Sequence, residues 1–572
     1  MKMTWSYYIQ IGVAAGCLAL TAGNSLASIN SKEDNWWANG SERKVMKHYH
    51  QKQHAENMII MIPDGCDETI QTVARWYKGD SLAVDKMQTG AVKTHMANSI
   101  ITGSAAAATA FATGHKTTVR FIGIGPRTED TLTDFKATAE PYAPIASVLE
   151  AAQRAGKATG IIATSRVTHA TPAAFAAHIQ DRGWDNDIME HMVYNNVDVV
   201  FGGGARHLLP EGATYTTSFG ATWSGKRTDG ENLMEILIDR GYQFVDSKEQ
   251  LANLEDGKVW GLFDDSHMQP DIDRQYFAEN EPSLAEMTEK AIEILSQDPD
   301  GFLLMVEGSQ VDWAGHNNDP IYMVKDFLAF DDAVQIANDY AREDRKTVVM
   351  AYPDHNTGGM KIGHDYAAPG YTSTTIEDLV APLQGMKMSA NGVVAKMTDD
   401  SDDALKASVL ENWNIALTDE DVTEIIDLQE SVGLSYALAR TVSELYTVIG
   451  WTTHGHTGET VPLWMMGETA PVGVIDNTEL AYIAAEAIDI DLDKTTRKLY
   501  MDLDTVTSNY VIDTETDPLN PVLSVAGARL PISKDYMIKD GRTIRLPGLT
   551  VYAPETGKVY VSQKALRKLG LR

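Results

Sequence analysis

Short apolar runs recur along the chain without the alternation of a half-solvated strand, and each ends on small or chemically active residues. Residues 58–62 run into Pro63-Asp64-Gly65, 158–163 into Thr164-Ser165, and 197–201 into Gly202, Gly203 and Gly204. Residues 302–306 run into Glu307-Gly308, and 348–352 into Pro353-Asp354-His355. Uninterrupted apolar runs of this length fit strands covered on both faces, as in a parallel sheet. Stretches 145–155, 284–295 and 321–340 carry their apolar residues at helical spacing. The alternation of the two patterns predicts an α/β fold, a large central, mostly parallel sheet with helices on both faces. Ligands of open α/β sheets sit at the carboxyl ends of the strands. Asp64, Glu307, the Asp354-His355 pair and the glycine turn all fall at such ends, which predicts one shared site.

The rhythm assigns residues 57–359 to the first part of the core. It breaks over 360–450, where an acidic cluster (Asp399, Asp400, Asp402, Asp403) and a helical piece near 428–445 read as an insertion. Strand-like pattern resumes at 461–464, so 451–517 reads as the rest of the core. Short alternating runs with Pro and Gly turns make 518–572 a small β-rich appendage. Residues 28–56 are a polar lead-in with Trp36 and Trp37.

The first 27 residues have the form of a signal peptide: Lys2, an apolar stretch over 11–20, and Ser25-Leu26-Ala27 before the cleavage point. That predicts an exported protein, periplasmic or secreted. A lipid anchor at Cys17 is the rival reading. No later stretch approaches the ~18 apolar residues of a membrane span. Once the leader is gone only Cys66 remains, so no internal disulfide can form. As a free thiol Cys66 reads as a small apolar filler.

Composition narrows the partners. The 572 residues hold 48 Lys and Arg against 80 Asp and Glu, a formal charge of −32. With 43% hydrophobic and 22% charged residues the chain can bury a large core. So acidic a surface excludes nucleic acid and anionic membranes as extended partners. It also sets a puzzle, because the candidate chemistry concerns an anion.

Ser104 lies in GSAAAATAFATG, directly before an alanine-rich helical stretch. It is either an N-cap or a nucleophile beside the positive end of a helix. In VEGSQVDWAGH, Asp312 and His316 are four apart and share a helix face, a spacing suited to holding one cation. Asp354 and His355 can offer two ligand atoms from one turn. His456, in THGHTGE, precedes an apolar strand, with His454 as its competitor. His169 and Thr171 follow another strand end, and Arg182 presents a fork suited to phosphate or carboxylate. Together these residues describe a serine nucleophile, two divalent ions bracketing an in-line displacement, and an arginine holding the remaining phosphate oxygens.

In that order and spacing, from about residue 58 to 464, the chain resembles the alkaline phosphatases. The long insertion and the pairing of His169 with Trp313 resemble the marine, cold-active bacterial branch, which is dimeric with the insertion at the subunit interface. The resemblance implies hydrolysis of phosphate monoesters at alkaline pH, with broad substrate range, through a phosphoserine at Ser104. It implies two Zn2+ and one Mg2+ per subunit and a homodimer acting on small phosphate esters. Asp312, His316 and His456 match the ligands of one zinc, and Asp64, Asp354 and His355 those of the other. Asp64 also reaches magnesium, with Thr171 and Glu307. Arg182 matches the phosphate clamp. His169 stands beside magnesium where other members have Asp, and Trp313 where some have Lys. One position departs from the pattern: the family usually has Asp immediately before the nucleophile, pairing with the clamp arginine, and this chain has Gly103. Weaker phosphate binding and easier release are the expectation. The alternatives are a phosphodiesterase or sulfatase, and a non-catalytic metal- or phosphate-binding protein. A sulfatase needs Cys or Ser in a C/S-x-P-x-R context, whereas Ser104 is followed by four alanines.

Overall fold

The computed structural model describes residues 55–365, 370–466 and 470–571. The predicted signal peptide, Cys17, and residues 28–54 of the lead-in lie outside the described residues.

Ten strands form the central sheet: β1 (Asn57–Pro63), β2 (Gln88–Lys93), β3 (Ala158–Arg166), β4 (Val199–Gly203), β5 (Gln243–Val245), β6 (Val259–Leu262), β7 (Phe302–Gly308), β8 (Thr347–Ala351), β9 (Val461–Met466) and β10 (Gly473–Asp476). Their order is β10-β2-β9-β8-β1-β7-β3-β4-β6-β5. All five predicted runs are strands, and they fill the middle of the sheet. From β8 to β5 every pairing is parallel, with Ile60 opposite Met350 on one side and Met305 on the other. Only β9 is reversed, antiparallel to both β8 and β2.

The lack of alternation has a direct cause. Ile59 and Met61 of β1 enter one apolar cluster and Met58, Ile60 and Ile62 enter the other, one on each face of the sheet. Both faces are covered by helices, and each such side chain contributes about 1.5–3 kcal/mol by leaving water. On the first face lie α1 (Glu68–Lys78), α4 (Leu284–Leu295) and α6 (Pro320–Asp344); on the other lie α2 (Ser104–Thr113), α3 (Val148–Ala155) and α12 (Asn477–Ala487). A further helix, α5 (Gln310–Asn317), follows β7 directly.

Some boundaries move for identifiable reasons. Helix α3 starts at Val148 rather than 145 because Ser147 and Glu150 form a capping box. Strand β4 runs two residues later than the apolar run and takes in Gly202 and Gly203. The insertion is helical: α7 (Ile376–Gln384), α8 (Ala390–Ala395), α9 (Asp402–Trp413), α10 (Asp419–Val432) and α11 (Leu434–Tyr446). Its acidic cluster is a helix start, with Ser401 capping and Asp402 and Asp403 in the first turn, where the dipole favours negative charge. The single helical piece expected near 428–445 is broken at Gly433, whose φ of +90° ends one helix and begins the next. Leu383, Val393, Val409, Trp413 and Leu438 of the insertion join the first apolar cluster, so it is packed onto the core.

The C-terminal β region begins before residue 518. A five-stranded antiparallel meander runs β11 (Tyr510–Asp513), β12 (Val522–Val525), β13 (Ala528–Pro531), β14 (Tyr536–Lys539) and β15 (Arg542–Arg545). It has its own apolar cluster around Leu523, Leu530, Met537 and Val559. The pair Lys534 and Asp535 anchors it: Lys534 Nζ lies 3.1 Å from Glu190, and Asp535 lies 2.8 Å from Arg240 Nη2.

Candidate active site

The carboxyl edge of the sheet gathers the predicted residues. Asp64 follows β1, Glu307 is the penultimate residue of β7, and Asp354 and His355 follow β8. His456 precedes β9, and the reversal of that strand brings its leading segment to the edge where the parallel strands end. Two short bridges, Asn356 with Thr457 and Thr357 with His456, fasten this segment to the Asp354-His355 turn.

Ser104 is the first residue of α2, not its cap; Gly103 is the N-cap and offers no side chain. The serine hydroxyl is therefore not spent on capping. It is buried, with Oγ 3.2 Å from His355 Nε2, and it sits where first-turn N–H groups have no intrahelical partner. Ten consecutive residues of α2 are buried, which the run of alanines permits.

Three overlapping groups offer donor atoms within 4.8 Å of one another: Asp64, Asp354 and His355; Asp312, His355 and His456; and Asp64, His169 and Glu307. Asp354 lies 2.9 Å from His355 Nε2, and Asp64 3.8 Å from it. His316 Nε2 is 3.4 Å from Asp312 and 3.3 Å from His456 Nε2, which places it with the second group. Thr171 Oγ1 is 3.4 Å from Asp64, which places it with the third. The outer nitrogens of two imidazoles rest on backbone carbonyls, His316 Nδ1 on His454 (2.6 Å) and His456 Nδ1 on Thr102 (2.8 Å). Each outer nitrogen donates there, leaving Nε2 to accept a cation. His454 thus supplies a carbonyl rather than its ring.

The electrostatics of this cluster call for cations. Burial, then the neighbouring Asp354, Asp312 and Glu307, drive the Asp64 carboxyl well above the usual range. Burial also lifts Glu307 to about 7. Asp354 resists burial because His355 stands against it, which holds it at about 2. Asp64 Oδ1, Glu307 Oε1, Asp354 Oδ2 and His169 Nδ1 are buried without a hydrogen-bond partner. Orphaned oxygens on mutually repelling carboxylates fit hard divalent ions, and the imidazole-containing groups fit zinc.

Arg182 Nη2 lies 2.7 Å from His169 Nε2. An arginine can only donate, so His169 accepts at Nε2 and carries its proton on Nδ1. The Trp313 ring stands edge-on to His169, centroids 5.7 Å apart. At Gly103 the backbone is extended (φ −109°, ψ 161°), and an added Cβ would meet nothing within 4 Å. A larger side chain would have room at this position.

Several contributors have no sequence signal of their own. Thr357 donates to Asp312 Oδ1 (2.6 Å) and stands 3.3 Å from His355 Nδ1, touching two predicted ligands at once. Ser309 donates to Glu307 (2.6 Å). Asn356 donates to both Asp67 (3.2 Å) and Glu459 (2.6 Å), tying together the segments that carry Asp64, His355 and His456.

Comparison with known proteins agrees with this architecture. The family model described as alkaline phosphatase matches residues 55–490. The chain is 32% identical to alkaline phosphatase 3 of Bacillus subtilis over 496 residues, 83% of this chain and 96% of that one. The crystal structure of the cold-active alkaline phosphatase of a psychrophilic Shewanella superposes with a TM-score of 0.61 at 27% identity, over 75% of this chain and 98% of that one. That of the Thermus thermophilus alkaline phosphatase gives 0.68 at 24% identity, over 79% and 95%, a likeness of fold. The parallel sheet, the serine at the head of a buried helix and the family match together make this chain a phosphatase, a member of the alkaline phosphatase family.

Proposed function

We propose that the chain hydrolyses phosphate monoesters in two steps, through a phosphoserine on Ser104, with Asp312, His316 and His456 holding one zinc, Asp64, Asp354 and His355 the other, and Asp64, Thr171 and Glu307 a magnesium. The bound ions would lower the pKa of the serine hydroxyl and of water and neutralise charge on the attacking and leaving oxygens. With its proton released to water, Ser104 Oγ attacks phosphorus in line and the ester P–O bond opposite it breaks, the leaving oxygen taking a proton from water. Water then attacks the phosphoserine, the Ser104 O–P bond breaks, and the proton given up by the attacking water restores the hydroxyl. The N–H groups of the first turn of α2 face the phosphoryl oxygens. Arg182 holds two of those oxygens through both steps. Its partner is a neutral imidazole rather than a carboxylate, so no ionic contact fixes its position and it is held more softly. This supports weaker product binding.

The observation that carries the reading is the buried Ser104 hydroxyl 3.2 Å from His355, within a carboxylate cluster in which one oxygen each of Asp64, Glu307 and Asp354 lacks a hydrogen-bond partner. The reading also accounts for the charge puzzle: three divalent ions and Arg182 would outweigh the four carboxylates of the site and make the pocket positive inside a chain of charge −32. Surface charge further than about 8–10 Å away is screened by salt. An alkaline optimum and broad substrate range follow the same family resemblance. Export follows from the leader pattern, and a homodimer joined through the helical insertion, with activity in the cold, from the resemblance to the marine branch. Turnover of an aryl phosphate by the purified protein, before and after chelator and re-addition of zinc and magnesium, tests the reading. Chelator-sensitive, metal-restored turnover is expected. Tight phosphate binding with no turnover under any metal condition contradicts it.

A further inference from the structure

The run of glycines that closes β4 has no part in the reaction above, yet it builds a second cationic position next to the clamp. A Cβ on Gly203 would lie 2.1 Å from the Ser266 carbonyl oxygen, and one on Gly202 would lie 2.7 Å from Val167 Cγ1. Only glycine lets the segment 264–268 close in here. The N–H groups of Gly204 (3.0 Å) and Ala205 (3.2 Å) donate to the Asp264 carbonyl, and that of Arg206 (3.3 Å) to the Asp265 carbonyl. The closure sets His267 against Arg166, the last residue of β3.

That contact is frustrated. The Arg166 backbone N–H points at His267 Nδ1 (3.1 Å), and its guanidinium Nη1 lies 2.6 Å from His267 Nε2. A neutral imidazole accepts at one nitrogen only, so it cannot satisfy two donors. Protonation offers no relief, because a charged ring accepts at neither, and burial with Arg166 and Arg206 nearby pushes the ring down to about 3. Arg166 Nε is held by Asp185 at 3.2 Å, while the same carboxylate accepts from Thr168 and lies 3.9 Å from His207. Arg206 forms no ion pair among the described residues; its Nε faces His207 Nε2 at 3.4 Å. Asp185, shared with Thr168 and His207, is the carboxylate set against Arg166, whose side chain is 19% exposed.

This position adjoins the clamp. Arg182 touches His169, whose ring centroid lies 6.0 Å from that of His267, and Trp313 stands edge-on to both rings. Two imidazoles separate the guanidiniums of Arg182 and Arg166, too far for one phosphate to bridge. We infer that Arg166, backed by Arg206, receives a second phosphate on the alcohol portion of the substrate, so that the favoured substrates are bisphosphates whose two phosphates are several bonds apart. The inference rests on the phosphomonoesterase reading and names a substrate class within it. Arg166 can keep Nε on Asp185 while its Nη groups turn from His267 to the incoming phosphate. His267 is then left to accept cleanly from the backbone N–H.

The test uses the metal-loaded protein and two non-hydrolysable probes, butylphosphonate and butane-1,4-diphosphonate, with Kd measured by titration calorimetry. The native protein should prefer the diphosphonate by about tenfold or more, equivalent to about 1.4 kcal/mol. Arg166→Met should reduce that preference to about twofold, the statistical advantage of two equal ends, and Arg166→Lys should retain part of it, since a point charge remains without the fork. Arg206→Met, further from the frustrated contact, should lower the preference by a smaller factor and serves if Arg166→Met does not fold. A native preference of twofold or less, or an equal preference in folded Arg166 or Arg206 variants, overturns the inference. Turnover of an aryl phosphate is read in parallel: its absence in the native protein defeats the phosphomonoesterase reading, whatever the phosphonate ratio.

Discussion

Replacing Gly103 by aspartate isolates the most distinctive feature of the site. The position tolerates the change: its backbone is extended, and an added Cβ meets nothing within 4 Å. In the native protein the Arg182 guanidinium donates to the neutral His169, at 2.7 Å. A carboxylate in front of Ser104 would add an ionic partner that preorganises the clamp. A partly exposed ion pair contributes up to about 1 kcal/mol, and about 1.4 kcal/mol is tenfold in affinity. Gly103→Asp should therefore lower the inhibition constant for inorganic phosphate about fivefold, and lower kcat where product release limits turnover. The competing fate of the carboxylate is the helix itself, since Gly103 is the N-cap of α2 and Asp caps better than Gly, by a few tenths of a kcal/mol. Steady-state inhibition by phosphate, read beside Tm, separates the two. A higher Tm with an inhibition constant unchanged within twofold would refute the claim that the missing carboxylate softens the clamp.

Other perturbations read different parts of the account. Thr357→Val removes the hydrogen bond to Asp312 and the contact with His355, and should weaken zinc retention by about 10–100-fold with the fold intact, measured by chelator competition. Stripping the metals should lower Tm as well as activity, because buried carboxylates are left facing one another, and each hundredfold excess of ion over its Kd is worth about 2.7 kcal/mol of stability; an unchanged Tm refutes that coupling. Asp319, buried and accepting from the backbone of Ala390 (2.7 Å) and Tyr322 (3.1 Å), is pushed up to about 7 by desolvation. A carboxyl raised in the folded state contributes fully below its unfolded value and loses that contribution as pH rises through the folded value, so native stability should fall between about pH 4 and 7. In Asp319→Asn that part of the slope should vanish, whatever its effect on absolute stability; superimposable Tm–pH slopes for the two proteins would contradict the assignment.

The middle of the sheet was legible because a doubly covered strand leaves an unmistakable mark, and because chemistry at α/β strand ends follows from connectivity. Asp64, Glu307, Asp354 and His355 could be placed on one edge from pattern alone. His456 could not, since its place depends on the reversal of β9, which no local pattern encodes. Pattern failed where tertiary packing decides. The helices of the insertion read as irregular until their caps and shared core were visible. Ser104 shows the same limit in miniature, because a serine opening a helix reads as a cap, whereas here glycine takes the cap and leaves the hydroxyl free. The frustrated Arg166–His267 contact had no signal except the three glycines that make room for it.

The central claim is a covalent phosphoserine on Ser104. Rapid acid quench of the metal-loaded protein during turnover of an aryl phosphate, followed by mass spectrometry of the peptide spanning Ser104, measures it directly. The account predicts a phosphoryl group on Ser104 that accumulates with substrate and is absent from Ser104→Ala, whose turnover falls by several orders of magnitude, as for loss of a nucleophile. Steady turnover with Ser104 unmodified, or a Ser104→Ala protein that retains the native rate, would contradict it.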